Sequence, residues 1–247
     1  MTRVVLPEAK LFKEIVEAIG NIAEEVALNL TPEGLKLSAF DVDQSSLFMV
    51  NFPPEMFIEY DVGEPVKIGV SVSNLKKILK HIKKGENLVI EPEDDYVKFT
   101  IGAGAVATSM YRFRNLDVPV QEISELELNF TVTAKLMAQA LKRVIEDIEA
   151  TGGNTEFSAD ENALVIRAVG AGRLEAKFTK GSLALISFEL QEQAKATYDT
   201  AKLVNILAVA KVSDTVTIQF ANKMPLKAEF VVGPGKIVYL LAPFEVS

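Results

Sequence analysis

The chain has 247 residues, 49% hydrophobic and 24% charged, with a net charge of −8, which is enough for one large domain or two of about 120 residues that bury roughly 70–75% of the unfolded surface without a metal or disulfide staple. The absence of cysteine removes disulfide frameworks, thiolate nucleophiles and cysteine-ligated zinc, and one histidine, His81, leaves little for a catalytic triad or a multi-histidine metal site. No secretion-type leader opens MTRVVLPEAK and no apolar run approaches ~20 residues, so a soluble intracellular protein is expected, and the global acidity argues against nucleic acid and membrane.

Four segments carry helical apolar periodicity. The first spans about Glu8–Ile19, with Pro7 in its opening turn, Leu11, Phe12, Ile15, Val16 and Ile19 on one face, and Gly20 as its stop. The second follows Ser73 as N-cap, with Leu75, Ile78, Leu79 and Ile82 inward and Gly85 at its end. A third follows Thr133, with Leu136, Met137, Ala140, Leu141, Val144 and Ile148 on its apolar side. The fourth follows Asp199 or Thr200, with Leu203, Ile206, Leu207 and Ala210 inward. Between them lie short β-branched segments such as Leu35–Phe40, Tyr96–Thr100 and Val216–Phe220, separated by turn signals at Pro32-Glu33-Gly34, Asp94-Asp95, Gly152-Gly153-Asn154 and Gly233-Pro234-Gly235. Hairpin-linked strands punctuated by single helices predict an α+β fold, antiparallel sheets with helices on one face.

The pattern repeats. Ala9-Lys10-Leu11 recurs as Ala134-Lys135-Leu136, 125 positions on, and Leu75, Ile78 and Leu79 recur as Leu203, Ile206 and Leu207, 128 positions on. Both offsets halve the chain, which predicts two similar domains over residues 1–114 and 130–247. The stretch between them, 115–129, holds a proline among scattered acids and reads as an extended surface connector.

Charge is segregated by element. Residues 74–84 carry Lys76, Lys77, Lys80, Lys83 and Lys84 with no acid; residues 135–148 are net +1, residues 200–211 net +2 and residues 8–19 net −1. Together the four helices hold +7, leaving −15 for the rest of a −8 chain. Helices on one side of their sheets then form a basic layer on an acidic body, able to meet phosphates without reading bases. No glycine-rich phosphate cradle or aromatic stacking stripe accompanies it.

Catalytic chemistry does not assemble. Gly102-Ala103-Gly104-Ala105-Val106-Ala107 fits G-x-G-x-x-A, but a strand pattern follows where a dinucleotide site needs a helix. Gly170-Ala171-Gly172 reads as a turn, Asp41 and Asp43 as turn caps rather than magnesium ligands, and His81 as a solvated side chain. No acid–base pair, activated nucleophile or ligand cluster forms, which predicts a protein that is not an enzyme, with no catalytic residue, metal or cofactor.

Several stretches together resemble the sliding-clamp family of proliferating cell nuclear antigen, most closely its archaeal members. They are Glu17-Ala18-Ile19, Leu35-Lys36-Leu37-Ser38-Ala39-Phe40-Asp41 with Ser46-Leu47, Asn115-Leu116-Asp117-Val118, and the terminal Tyr239-Leu240-Leu241-Ala242-Pro243. The resemblance covers the whole chain and implies a DNA clamp fold: sheets outside, four helices lining the inner face, three subunits in a ring around duplex DNA. It implies a processivity role, tethering DNA polymerase, flap endonuclease and DNA ligase through short peptide motifs, with a clamp loader to open the ring. Residence would be cytoplasmic at the nucleoid in an archaeon, or nuclear in a eukaryote. The alternatives are one non-identical subunit of a heterotrimeric ring, or an α+β enzyme with an unrecognised site.

By position, the resemblance places Lys13, Lys76, Lys77, Lys80, Lys83, Lys84, Lys142, Arg143, Lys202 and Lys211 on the DNA-facing side. Gly20 and Glu14 stand where relatives often carry another basic residue. Partner peptides would dock on Phe40, Gln44, Leu47, Val118, Pro119, Val120, Ile123, Leu240, Ala242 and Pro243. One subunit face would use Thr108, Met110, Tyr111, Arg112 and Phe113, and the other Arg173, Leu174, Ala176, Lys177 and Phe178.

Overall fold

A computed structural model describes residues 2–103, 106–120, 128–170 and 172–244. The chain separates into two compact units. Unit 1 takes residues 1–42, 48–122 and 232–237; unit 2 takes 43–47, 123–231 and 238–247.

In chain order the first half runs β1 (Arg3–Leu6), α1 (Ala9–Ile19), β2 (Glu25–Thr31), β3 (Gly34–Phe40), β4 (Ser46–Phe52), β5 (Glu59–Asp61), β6 (Val66–Ser71), α2 (Val72–Leu79), β7 (Asn87–Glu93), β8 (Tyr96–Ala103) and β9 (Val106–Arg114). The second half repeats the sequence of elements: β10 (Val132–Met137), α3 (Ala138–Thr151), β11 (Asn154–Ala159), β12 (Ala163–Val169), β13 (Glu175–Thr179), β14 (Leu185–Leu190), β15 (Ala194–Tyr198), α4 (Thr200–Leu203), β16 (Thr215–Phe220), β17 (Leu226–Val232) and β18 (Gly235–Leu241). Sheet orders repeat as well. Unit 1 holds β5-β1-β7-β8-β9 and β6-β2-β3-β4; unit 2 holds the equivalent β14-β10-β16-β17 and β15-β11-β12-β13.

The true repeat offset is 128–129, since α1 and α3 start at Ala9 and Ala138 and α2 and α4 at Val72 and Thr200. The tripeptide match at offset 125 is therefore a coincidence: Ala134-Lys135-Leu136 lies on β10, where Val132, Ala134 and Leu136 alternate inward as a strand requires. β10 passes into α3 without a loop, so the helical period of Leu141, Ile145 and Ile148 runs backwards into strand residues and misplaces the start. α2 is also shorter than expected. Ser71, not Ser73, flanks its start, and it ends at Leu79, leaving Lys80–Gly85 in turns. For α4 the expected cap holds, with the Asp199 carboxylate accepting from the Ala201 N–H at 2.8 Å. Only four residues of α helix follow before 3-10 turns at Val204–Ile206 and Val209–Lys211.

Each unit buries its own core. In unit 1, Phe12, Ile15 and Ile19 of α1 and Leu75 and Leu79 of α2 are sealed along with strand residues such as Leu28, Ile68, Ile90 and Phe99. In unit 2, α3 packs on strands of both sheets through Leu141, Ile145 and Ile148. There Phe157 meets Tyr198 and Phe220 edge-on, at 5.8 and 6.0 Å between ring centroids. The buried Tyr198 hydroxyl donates to the Met224 carbonyl at 2.9 Å, and burial holds its pKa well above the ordinary tyrosine value.

Candidate nucleic-acid and partner interfaces

α1 is embedded on nearly every side. Among its charged residues Glu14 is buried, Lys13 and Glu17 are half-buried and Lys10 is exposed. Its Lys13 ammonium donates to the Lys80 carbonyl at 3.3 Å. Lys76 crosses from α2 to pair with Glu17 at 3.4 Å, passing over Gly20, where an added Cβ would stand 2.1 Å from its Nζ. Glycine at position 20 thus makes room for a neighbouring helix to place a cation beside the end of α1.

α2 buries Val72, Leu75, Ile78 and Leu79, which turns Lys76 and Lys77 away from the core in its last turn, where a cation also suits the helix dipole. Lys80, His81, Lys83 and Lys84 follow its end and are exposed. On α3, Lys142 bonds Glu146 one turn on, and Arg143, 86% exposed, lies 4.0 Å from Asp147. Such exposed i,i+4 pairs contribute little, about 0.3–0.5 kcal/mol, so a phosphate can compete for either cation. Lys211 is the exposed last residue of a 3-10 turn whose Val209 and Ala210 are buried and which Gln139 of α3 ties down, its Nε2 donating to the Ala210 carbonyl at 2.6 Å.

Lys202 does not join this set. Its ammonium is held by both carboxylate oxygens of Asp43, at 2.7 and 2.6 Å, and by Ser45 Oγ, while its carbonyl accepts from the Tyr239 hydroxyl at 2.9 Å. Lys202 fastens the 43–45 segment to α4 and to β18, a commitment that competes with the expected DNA contact. Asp43 is correspondingly committed to an ion pair, and among the described residues no group of three His, Cys, Asp or Glu could hold a metal ion. We expect Lys202→Met, which keeps the apolar stem, to leave DNA affinity unchanged and to weaken partner-peptide binding several-fold, read by fluorescence titration of each.

The partner-site residues fall in both units. In unit 2, Gln44, at φ 56°, adjoins the terminal segment, with the Ala242 N–H donating to the Ser45 carbonyl at 2.7 Å. Gln44 is exposed, and Leu240, Ala242 and Pro243 are half-buried. Leu47, 3% exposed, is a core residue rather than a docking contact. In unit 1, Phe40 and Val118 are half-buried and Pro119 and Val120 exposed; Ile123 lies outside the described residues.

The connector's first residues are fixed along the open edge of β6, a feature the sequence reading missed. The Asn115 side chain accepts from the Gly69 N–H at 2.8 Å and donates to the Lys67 carbonyl, and the Leu116 N–H donates to the Gly69 carbonyl at 2.9 Å. Lys67 pairs with Asp117 at 2.9 Å, which holds that carboxyl below its usual pKa. In unit 2 the Phe244 N–H donates to the Thr197 carbonyl on β15 at 2.7 Å. Thr197 and Phe244 stand 128 positions after Gly69 and Leu116, so the repeat offset itself could have pointed to both attachments.

The two strands assigned to subunit contact are both sheet edges, β9 beside β8 and β13 beside β12. On β9, Met110 is 64% exposed, Tyr111 and Phe113 are half-buried, and Arg112 donates to Glu93 at 2.6 Å while lying 4.1 Å above the Tyr96 ring; Thr108 lies on the same strand. On the other edge, Arg173 and Lys177 are exposed and Leu174 and Ala176 half-buried. Phe178 is 6% exposed and belongs to the core, a correction to its assignment as a contact residue. β8 and β9 pair antiparallel with Ala103 opposite Val106, so Val106 opens a strand and not a phosphate-binding helix.

This architecture, with a duplicated α+β unit, open edges and a run of lysines on and just after α2, defines a clamp-type scaffold. The profile "Proliferating cell nuclear antigen, N-terminal domain" matches residues 1–120. DNA polymerase sliding clamp 1 of Aeropyrum pernix is 34% identical over 242 residues, covering 96% of this chain and 97% of its own, and the Pyrococcus furiosus sliding clamp is 31% identical over 97% of each. Among solved structures, the PCNA2–PCNA3 complex of Sulfolobus tokodaii aligns with TM-score 0.91 at 26% identity over 98% of both chains. The clamp of Thermococcus kodakaraensis shares the fold, with TM-score 0.91 at 24% identity over 99% of this chain and 100% of its own. The chain belongs to the proliferating cell nuclear antigen family of DNA polymerase sliding clamps, of the archaeal type. It is a processivity factor rather than an enzyme.

Proposed function

We propose that this clamp subunit works in a closed three-membered ring around duplex DNA, with the helix layer inward. The run of Lys76, Lys77, Lys80, Lys83 and Lys84 on α2 and the segment that follows it, with no acid in residues 74–84 of a net-acidic chain, is the observation that carries the reading. Lys13, Lys76, Lys77, Lys80, Lys83, Lys84, Lys142, Arg143 and Lys211 supply mobile, sequence-blind phosphate contacts that permit sliding. The acidic remainder repels DNA from the other surfaces. Subunits join edge to edge, β9 of one to β13 of the next, a head-to-tail contact that closes into a ring.

Polymerase, flap endonuclease and ligase dock through short peptides on Gln44, Leu240, Ala242 and Pro243, joined by Phe40 and the connector residues Val118, Pro119, Val120 and Ile123. A few anchors in an apolar groove carry most of the energy, and tethering acts through effective concentration. The chain brings no nucleotide-binding loop, so an ATP-driven loader opens the ring, within the cytoplasm at the nucleoid. A fluorescent peptide of pattern Gln-x-x-aliphatic-x-x-aromatic-aromatic should bind saturably with Kd near micromolar, about −8 kcal/mol. Val120→Ala with Leu240→Ala should weaken it at least tenfold; a double variant that binds as the parent does would move the pocket elsewhere.

A further inference from the structure

One pattern of hydrogen bonding recurs on two open sheet edges. On β6 the Asn115 carboxamide spans two groups of the strand, its Nδ2 donating to the Lys67 carbonyl at 3.3 Å and its Oδ1 accepting from the Gly69 N–H at 2.8 Å. On β15 the Asn222 carboxamide does the same, its Nδ2 donating to the Gln193 carbonyl at 3.1 Å and its Oδ1 accepting from the Lys195 N–H at 2.8 Å. Each carboxamide matches the carbonyl of one residue and the N–H two residues on, groups that an antiparallel strand points to the same side.

β15 pairs with β11 on one side only, so Gln193, Lys195 and Thr197 turn their main-chain groups to the open edge. Asn222 takes the Gln193 carbonyl and the Lys195 N–H, and the Thr197 carbonyl accepts from the Phe244 N–H at 2.7 Å. Between them stand the Lys195 carbonyl and the Thr197 N–H, which no group bonds among the described residues. They are the equivalents, 128 positions on, of the Lys67 carbonyl and the Gly69 N–H that Asn115 holds in unit 1. The position equivalent to Asn115 is Pro243, which has no carboxamide and no N–H to give. Lys195 is exposed and Thr197 half-buried, so solvent reaches the pair.

Charge narrows the occupant. Lys67 pairs with Asp117, but Lys195 is already held by Glu156 at 2.8 Å, and that buried carboxylate also holds Arg167 at 2.6 Å. The site needs no further acid; a neutral group with one donor and one acceptor matches it. We infer that the β15 edge beside Pro243 binds an asparagine or glutamine side chain from a partner segment flanking the docking peptide, seated there as Asn115 is seated on β6. A peptide anchored on Ala242 and Pro243 brings its flank to this edge, and the flank then sets preference among partners that share the same anchors. The inference rests on the partner-site reading above.

The test uses peptides of the pattern given above with four alanines on each side, asparagine replacing each flanking alanine in turn. Fluorescence titration against the intact chain should find one position where asparagine tightens binding about fivefold to tenfold over alanine. Thr197→Pro removes only the outward N–H, because β11 bonds the alternate residues Ala196 and Tyr198 and an open edge tolerates proline. Pro243→Asn supplies the cap that Asn115 gives unit 1. The asparagine-over-alanine gain, read as a ratio so that changes at the anchors cancel, should vanish in both variants, each checked for folding by circular dichroism. No gain at any position, with the all-alanine peptide still binding, would overturn the inference and leave the partner site standing. A gain undiminished in Thr197→Pro would overturn it by placing the carboxamide elsewhere; should that variant not fold, an undiminished gain in Pro243→Asn decides in the same sense. Saturable binding by none of the peptides would overturn the partner-site reading and this inference with it.

Discussion

Replacing Lys77, Lys80 and Lys142 together with glutamate is expected to cut loading onto DNA and stimulation of polymerase by an order of magnitude or more, with assembly intact. Lys77 and Lys80 are exposed beyond the buried stripe of α2, and Lys142 is held only by an exposed partner one turn along α3. None contributes to a core, so the loss is electrostatic. Each lysine taken from a phosphate lowers the slope of log K against log salt by about 0.9. The variant should therefore show a shallower salt dependence as well as weaker binding, whereas misfolding would abolish binding without that graded change.

Gly69→Ala is expected to be the most damaging single methyl in the partner region. The new Cβ would lie 2.0 Å from the Leu116 carbonyl oxygen and 2.8 Å from its carbon, both backbone atoms that cannot swing aside. Either β6 shifts or the connector lifts off, losing the Leu116–Gly69 and Asn115–Gly69 hydrogen bonds. Overpacking of this kind costs about 1–3 kcal/mol, near 2–4 °C in Tm per kcal/mol for a chain this size. Peptide binding should fall at least tenfold and protease cleavage within residues 115–129 should quicken. Unchanged cleavage with unchanged affinity would mean that the attachment along β6 does not set the partner site.

The sequence was most legible where a local rule applies. α1 was expected at Glu8–Ile19 and spans Ala9–Ile19, because its apolar stripe, proline and glycine all point one way. The Asp199 cap and the strands Leu35–Phe40, Tyr96–Thr100 and Val216–Phe220 follow equally local patterns. α3 was misplaced because strand and helix meet at Met137–Ala138 with no turn residue between them to mark the change of period. The Lys202–Asp43 pair spans 159 positions, and no spacing rule links such residues, so the sequence offers no sign of it. For Leu47 and Phe178 the resemblance gives a position on a strand and not the face of that strand, and both side chains turn inward. Position along a resemblance locates a residue on an element, and packing then decides whether it is a contact or a support.

Topological capture is the central claim, and retention on circular against linear DNA tests it most directly. Assembled clamp, loaded with loader and ATP onto a nicked circular plasmid and passed through a sizing column in 0.5 M salt, should co-elute with the DNA. Cutting the plasmid once should release it, because phosphate contacts alone are too weak at that ionic strength to hold a ring that can slide off an end. Equal retention before and after linearisation, or none on either form, would contradict encirclement.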